Sequence, residues 1–158
     1  MAIVDIRDTG RNSARTNDVR ELAEKVQKPS DTEAITAANT ITAAESGTRY
    51  VLNVAAAKIQ TLPAPAAGLE YWFYVGATEP TGTHTVVTAS SANIIVGNIS
   101  SPEDAAGSVA TVTDADTISF VASKAVHGDF AHVWSDGTNW YVDGMCKVQD
   151  GITTTQAG

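Results

Sequence analysis

Two of the three histidines lie close together, in His127-Gly128-Asp129-Phe130-Ala131-His132. This His-x-Asp-x-x-His spacing can in principle supply three metal ligands. However, no glutamate general base and no further ligand lies nearby, and such residues are ordinary where a turn leads into a strand. We therefore expect a turn followed by an exposed strand face here, and no metal site.

Residue types of other active sites occur in the chain without their local patterns. Serine, histidine and aspartate are all present, yet no Gly-x-Ser-x-Gly elbow and no glycine-rich phosphate loop occurs. Cys146 falls inside a predicted strand, where a small buried thiol is expected. The acidic clusters Glu103-Asp104 and Asp114/Asp116 lack the spacing of a calcium loop and are expected to be solvated turns. We predict that the protein is not an enzyme and binds no cofactor and no metal.

The aromatic residues Trp134, Trp140 and Tyr141 leave two interpretations open. If they are exposed, their rings could form a platform on which a sugar stacks. Tryptophan on a hairpin is more often part of a core or of a subunit interface. We favour a core or interface position and keep the carbohydrate platform as the alternative.

The element expected to organise these residues is the run Leu69-Glu70-Tyr71-Trp72-Phe73-Tyr74-Val75-Gly76, which has four adjacent aromatic side chains. A helix would spread these rings around its whole surface, whereas a strand alternates them between two faces. One face then carries Leu69, Tyr71, Phe73 and Val75, and the other carries Glu70, Trp72 and Tyr74. Because each ring buries about 150–250 Å², the core is expected to form around this strand, and both of its faces need cover.

Length, composition and charge limit the class of protein. The 158 residues suffice for one domain with an additional arm. Thr, Val, Ala, Gly, Asn and Ser dominate and helix formers are sparse, which favours an all-β domain. The net charge of −8 argues against a nucleic-acid surface, and no apolar run is long enough to span a membrane. We therefore expect neither nucleic acid nor membrane as a partner.

The first 30 residues differ from the rest of the chain. They hold six basic and five acidic residues, whereas residues 31–158 hold four basic and 13 acidic residues. The first aromatic residue is Tyr50, so the opening part lacks the bulky side chains of an independent core. We predict an N-terminal arm with a short amphipathic helix over residues 1–30 and a β-sandwich domain over residues 31–158.

Two apolar patterns mark the predicted arm. A small cluster near the N-terminus precedes a polar stretch without periodicity, which indicates an extended arm. Between Asn17 and Lys28 apolar residues recur at helical spacing before Pro29. A helix this short is marginal alone in water, so it is expected to dock on its own sandwich or on another subunit.

Short strand candidates separated by turn residues follow. They are Ala34–Thr42, Tyr50–Val54, Lys58–Leu62, Leu69–Gly76, His84–Ala89, Asn93–Val96, Ser108–Thr113, Thr117–Ser123, Phe130–Ser135, Asn139–Val142 and Met145–Val148, and the tail from Gly151 is expected to be an edge strand or frayed. Asp136-Gly137 predicts a tight hairpin. Because helical crossovers are absent, a parallel α/β sheet is not expected. The predicted fold is an all-β, antiparallel β-sandwich or jelly-roll-like domain.

Four stretches of the sequence, residues 47–52, 62–73, 93–99 and 128–142, share a recognisable pattern. An LPxxxxG connector at residues 62–68 precedes the aromatic strand, and an SDGTxWYV hairpin lies at residues 135–142. In this pattern the sequence resembles small β-rich virion proteins of tailed bacteriophages, in which such a connector precedes an aromatic strand and such a hairpin closes the domain. The resemblance covers residues 47–144 and extends both to capsid decoration (cement) proteins and to domains of tail fibres.

The resemblance implies a homotrimer on the outer capsid surface of the virion, where it would clamp neighbouring major capsid protein subunits. A short chain with an arm and no fibrous shaft favours this role, and a tail-fibre module that binds a receptor or carbohydrate is the alternative. Contacts with the capsid or with other subunits are assigned to Ile3, Val4, Ile6, Arg7, Arg11, Arg15, Val19, Leu22 and Val26. The core or the trimer seam is assigned to Tyr71, Phe73, Trp134 and Trp140.

Overall fold

The computed structural model describes residues 31–101 and 109–158, which contain twelve β-strands and two short 3-10 helices. The strands are β1 (Thr32–Ile35), β2 (Asn39–Thr40), β3 (Arg49–Leu52), β4 (Ile59–Thr61), β5 (Glu70–Val75), β6 (His84–Val87), β7 (Ile95–Ser100), β8 (Val109–Ala115), β9 (Thr117–Phe120), β10 (Phe130–Ser135), β11 (Trp140–Met145) and β12 (Ile152–Thr155). The helices are Ala43–Glu45 and Ala89–Ser91, and neither approaches the length and hydrophobicity needed to cross a bilayer. The predicted arm and amphipathic helix lie outside the described residues and stay predictions.

Two sheets pack together around a common core. The large sheet has seven strands in the order β1-β3-β5-β10-β11-β7-β8, and the small sheet has five in the order β12-β9-β6-β4-β2. Apolar residues from both sheets form one buried cluster. This arrangement confirms the predicted all-β, sandwich-like fold.

Both sheets are mixed, which corrects the prediction of antiparallel strands. Within the large sheet β1, β3 and β5 pair in parallel, and within the small sheet β2, β4 and β6 do so. From β1 to β6 the chain alternates between the sheets. A strand of the opposite sheet therefore provides the crossover that a helix usually provides between parallel strands. For this reason the absence of helices did not imply antiparallel pairing.

Several predicted strands have different bounds in the structure. The single strand predicted over Ala34–Thr42 is divided into β1 and β2, which belong to different sheets. The two strands predicted at either side of Asp143 are one strand, β11, which ends at Met145. Cys146 therefore follows a strand instead of lying within one, although its thiol is buried as predicted. The tail forms β12 at the edge of the small sheet, in agreement with the first of the two outcomes expected for it.

The aromatic strand β5 lies between β3 and β10 in the large sheet. Its residues alternate between buried and partly exposed positions, as predicted. Phe73 is completely buried and stacks on Tyr50 of β3, with 5.3 Å between ring centroids. Tyr71 is also buried and contacts the ring of Trp140 on β11 at 5.9 Å. These four rings form the centre of the core.

The 3-10 helix Ala43–Glu45 closes one end of this core. The Tyr71 hydroxyl donates a hydrogen bond to the carbonyl oxygen of Thr42 at 2.9 Å, and the Tyr50 hydroxyl donates one to Glu45 Oε1 at 3.2 Å. Burial raises the pKa of Tyr71 to about 12. Burial, with the nearby Glu45 carboxylate, also holds the pKa of Tyr50 well above its usual range. Both phenols therefore remain protonated donors at neutral pH.

His84 of β6 is a completely buried polar residue of the small sheet. Its Nδ1 accepts a hydrogen bond from the backbone N–H of Lys58 at 3.1 Å, and its Nε2 lies 2.8 Å from the carbonyl oxygen of Val54. Because a backbone N–H can only donate, Nδ1 is unprotonated and the proton resides on Nε2. Burial lowers the pKa of His84. The neutral imidazole thus fastens the segment between β3 and β4 to β6.

Candidate functional site

The large sheet has a second face turned away from the core, called here the outer face. On β5 this face carries Trp72 and Tyr74, and on β10 it carries Phe130, His132 and Trp134. The two strands are antiparallel neighbours, with Tyr74 opposite Phe130 and Trp72 opposite His132. Five rings therefore lie side by side on adjacent strands.

Four of these rings, Trp72, Tyr74, Phe130 and His132, form an aromatic cluster. The imidazole of His132 stacks on Trp72, with centroids 3.8 Å and planes 8° apart. Trp72 and Tyr74 are nearly parallel at 6.0 Å, and Phe130 lies 6.1 and 5.8 Å from their two rings. All four side chains are partly exposed. Cross-strand pairs of this kind stabilise the sheet, and here they join four rings into one continuous aromatic surface.

The remaining ring of β10, Trp134, is 42% exposed and stacks on Tyr141 of β11 at 4.3 Å. The Tyr141 hydroxyl donates a hydrogen bond to Asp136 Oδ2 at 2.9 Å, and Asp136 Oδ1 accepts from the backbone N–H groups of Thr138 and Asn139. The backbone bonds, together with the Tyr141 bond, lower the pKa of Asp136, and the same carboxylate raises the pKa of Tyr141. The loop between β10 and β11 therefore fixes the exposed ring pair.

This loop corrects the predicted tight hairpin. Ser135 pairs with Trp140, so four residues connect β10 to β11. Gly137 has a positive φ of 102° and Asp136 does not, whereas a two-residue type I′ turn requires positive φ at both central positions. The hairpin is present, but the Asp136 side chain organises it by accepting backbone hydrogen bonds.

Strand register arranges the outer face into rows that cross the sheet. In the middle row, Arg49 on β3 and Asp143 on β11 lie on opposite sides of Trp72 and His132. The adjacent row is apolar except for one serine and consists of Ala34, Val51, Tyr74, Phe130, Met145, Ser100 and Val109. Met145 in this row is 43% exposed. The outer face is thus largely apolar and aromatic, with Arg49 on one flank, Asp143 on the other and the Glu70 carboxylate in the row of Trp134.

The outward side of the small sheet has a different chemistry. By register its members are Thr40, Ile59, Thr61, Thr85, Val87, Thr117, Ser119, Thr153 and Thr155. Seven of these nine side chains carry a hydroxyl and none is aromatic. Hydroxyls exchange hydrogen bonds readily with water. This side suits solvent, whereas the outer face of the large sheet suits a protein or ligand.

The His-x-Asp-x-x-His spacing does not converge on a metal. Asp129 is 1% exposed and accepts hydrogen bonds from the backbone N–H groups of Val126 at 2.9 Å and Lys147 at 3.0 Å. His132 belongs to the aromatic cluster, with Nε2 3.4 Å from Glu70 Oε2. Within residues 31–101 and 109–158, no group of three His, Cys, Asp or Glu side chains could hold a metal ion. The aspartate organises a turn, in line with the preferred interpretation, although its burial was not expected.

A small pocket lies beside β7 and the segment that follows β11. Its volume is about 80 Å³, and it is lined by Ile99, Ser101, Ala110, Cys146, Gln149, Asp150 and Ile152. A space of this size holds a few water molecules, each needing ≳ 10–15 Å³. It is too small for a sugar ring.

The residues assigned to the core or the trimer seam fall into two groups. Tyr71, Phe73 and Trp140 are completely buried in the core. Trp134 is exposed on the outer face and is therefore not a core residue. Its assignment to the trimer seam stays a prediction. The residues assigned to capsid contact all lie in residues 1–30, outside the described part of the chain.

Sequence reasoning did not group Phe130 and His132 with the other rings of the outer face. The alternation Phe130-x-His132-x-Trp134 within a predicted strand places three rings on one side and was sufficient to group them. Their contact with Trp72 could not be inferred in this way, because it requires β5 and β10 to be neighbours.

Comparisons with protein-family models, with curated proteins and with solved structures return no match. A function for this chain therefore has to be inferred from its own residues and motifs.

Proposed function

We propose that this chain is a structural, non-enzymatic protein of a tailed-phage virion that decorates the capsid and stabilises it by bridging neighbouring major capsid subunits. The main support is the contrast between the two outward sides of the sandwich. One side is rich in hydroxyls, and the other is aromatic and apolar. Such a body can pack against protein through one side, in an assembly of its own copies or on the capsid, and present the other side to water.

The two motifs that resemble virion proteins lie together in space. Gly68, at the end of the LPxxxxG connector, donates its backbone N–H to Ser135 O at 2.9 Å, and Ser135 N–H donates to Leu69 O at 2.9 Å. The connector leads into β5, and the SDGTxWYV hairpin begins at the end of β10. The motifs thus meet where β5 begins and β10 ends, beside the two strands that carry the aromatic cluster. A protein that shares these motifs is expected to share the outer face.

The charge distribution agrees with a place on the outer capsid surface. Residues 31–158 hold 13 acidic and four basic residues, so bodies on neighbouring particles repel each other. Residues 1–30 are nearly neutral overall, with six basic and five acidic residues, and are the part of the chain proposed to contact an adjacent subunit. Copies in a homotrimer would each contribute such a contact, and linked weak contacts act together through effective concentration.

Reconstitution with undecorated shells tests this proposal. The purified full chain is mixed with shells of the major capsid protein from the same virus, and bound protein is separated by sedimentation. We expect saturable binding at a fixed ratio to capsid subunits, and shells that withstand a higher temperature. Shells that neither bind the protein nor gain stability would contradict the proposal.

Deletion of residues 1–30 tests the role of the predicted arm in the same assay. The remaining domain has its own core and is expected to keep its tryptophan fluorescence while losing shell binding. Undiminished binding by the shortened chain would remove the arm from the bridging function.

A tail-fibre module that binds a receptor or carbohydrate is a second candidate. The exposed Trp134–Tyr141 pair favours it, because the Asp136 carboxylate beside these rings could accept hydrogen bonds from sugar hydroxyls. A glycan array with the full chain distinguishes the candidates. Sugar binding that is lost in Trp134→Ala, together with absent shell binding, would favour the fibre module.

A further inference from the structure

We infer that the outer face of the large sheet is the seam between copies of this chain, with the aromatic cluster at its centre and Arg49 of one copy beside Asp143 of the next. The inference deepens the proposed function, on which it rests for the number of copies. The dimensions, polarity and charge placement of this face support the seam itself.

The outer face is large enough to contribute most of an interface. Seven strands at about 4.8 Å spacing span about 29 Å, and three rows of side chains extend about 15–20 Å along the strands. The projected area is about 500 Å², and projecting side chains enlarge the accessible area towards the roughly 800 Å² that each partner contributes to a standard interface. Its exposed members include Trp134 at 42%, Met145 at 43% and Val109 at 53%. A face of this size and polarity is expected to be covered by protein.

The two charges of the middle row sit symmetrically about the aromatic cluster. The strand order is β3-β5-β10-β11, so Arg49 on β3 and Asp143 on β11 are each one strand away from the central pair. Both side chains are exposed, and neither forms an ion pair with another residue of the described ranges. A second copy of the chain carries the same two residues, so Arg49 of one copy can pair with Asp143 of the other.

A rotation axis that runs along the strands makes use of this symmetry. In a ring of copies whose outer faces point to the axis, the β3 side of one sheet meets the β11 side of the next. Arg49 then approaches Asp143 of the neighbour, and the apolar row closes around the axis. Closed rotational symmetry of this kind is the usual arrangement of homo-oligomers. A foreign partner would not require opposite charges at equal distances from the centre.

Charge reversal tests the seam in the full-length chain. Arg49→Glu and Asp143→Arg each place like charges together, and the double variant restores an opposite pair with reversed polarity. We expect each single variant to weaken self-association by about tenfold or more, because like charges at an interface are strongly unfavourable. The double variant is expected to recover it. Sedimentation equilibrium across the micromolar range measures all of these proteins.

Lys124→Glu is the matched control. Lys124 is an exposed cation that pairs with Asp150 at 3.3 Å, and it lies outside the outer face. Its reversal is expected to leave self-association unchanged. Circular dichroism confirms that every variant keeps its fold.

Three results would overturn the seam. The first is an unmodified chain that stays monomeric across the micromolar range. The second is self-association that neither single reversal weakens, and the third is a double variant that recovers none of the loss. If the chain is a monomer and acrylamide does not quench its tryptophan fluorescence, the outer face is covered by residues 1–30 of the same chain instead of by a second copy.

The seam and the proposed function fail in different ways. A chain that decorates shells as a monomer would overturn the seam and leave the function standing. If the charge reversals change self-association as expected but the chain binds no shell, the seam is supported and the proposed function is contradicted. A dimer that responds to the reversals would support the seam and contradict the threefold arrangement.

Discussion

Two neighbouring residues of β5 are predicted to respond differently to the same change. Phe73 points into the core, is completely buried and stacks on Tyr50 at 5.3 Å. Tyr74 points to the outer face, is partly exposed and contacts Phe130 at 5.8 Å. Phe73→Ala and Tyr74→Ala each remove one ring from the same strand, so they compare the two sides of a single element.

The expected magnitudes follow from burial. Truncation of a buried phenylalanine costs about 3–5 kcal/mol, because transfer free energy is lost and a cavity remains. Domains of this size have unfolding free energies of about 5–15 kcal/mol, so Phe73→Ala is expected to remove a large fraction of the stability. Tyr74→Ala loses cross-strand ring contacts, which are worth about 0.2–1 kcal/mol per pair. Phe73→Ala is therefore expected to cost several times more within one chain.

Urea unfolding of the full chain at a low and a high protein concentration measures both effects. Phe73→Ala should lower the free energy of unfolding at both concentrations without changing the slope with denaturant. Tyr74→Ala should have its main effect at the high concentration, because self-association adds to stability by mass action. Equal losses for the two variants at the low concentration would refute the reasoning, since they would show that both faces of β5 are buried within a single chain.

Three further predictions concern single positions. Burial holds the pKa of His84 below its ordinary value of 6.5. The free energy of unfolding should therefore be retained above pH 6.5 and fall below it, because the unfolded chain then takes up a proton that the folded chain does not. Urea titrations from about pH 7 to about pH 5 should show this loss, and the loss should be smaller in His84→Gln. Asp136→Ala should return the pKa of Tyr141 towards its usual value and shift the emission of Trp134 to longer wavelength, which ultraviolet titration and fluorescence measure. Gly97→Ala should destabilise the fold by about 3 kcal/mol or more, seen as a lower thermal midpoint, because the added Cβ would lie 2.0 Å from a backbone oxygen at a φ of +144°.

The features predicted correctly from sequence depend on residues close together in the chain. The alternation along β5 follows from a period of two, and four adjacent aromatic residues made that pattern easy to detect. The position of the hairpin at Asp136-Gly137 was also predicted correctly, because its turn residues are adjacent in the chain. Its conformation was not, because the Asp136 side chain bonds to two later backbone N–H groups and so stabilises a longer loop.

Strand pairing was beyond reach of the sequence because it depends on residues far apart. β3 and β5 pair in parallel, and the segment between them in sequence contains β4, which belongs to the other sheet. In a sequence, helical segments between strands normally indicate parallel pairing. A crossover made from a strand therefore leaves no recognisable sign of parallel pairing in the sequence. The role of His84 was hidden in the same way, since its two hydrogen-bond partners come from the connection between β3 and β4.

The need of β5 for cover on both faces links the fold to the proposed seam. The small sheet covers the inner side, where Tyr71 and Phe73 are buried. On the other side, β10 brings Phe130 and His132 against Trp72, so the pairing of two distant strands enlarges the apolar surface instead of hiding it. The rings gathered in this way form a larger apolar surface on the outer face, and that surface still needs to be buried. The proposed seam meets this requirement with a second copy of the chain, whose Arg49 and Asp143 lie at matching distances from the aromatic cluster.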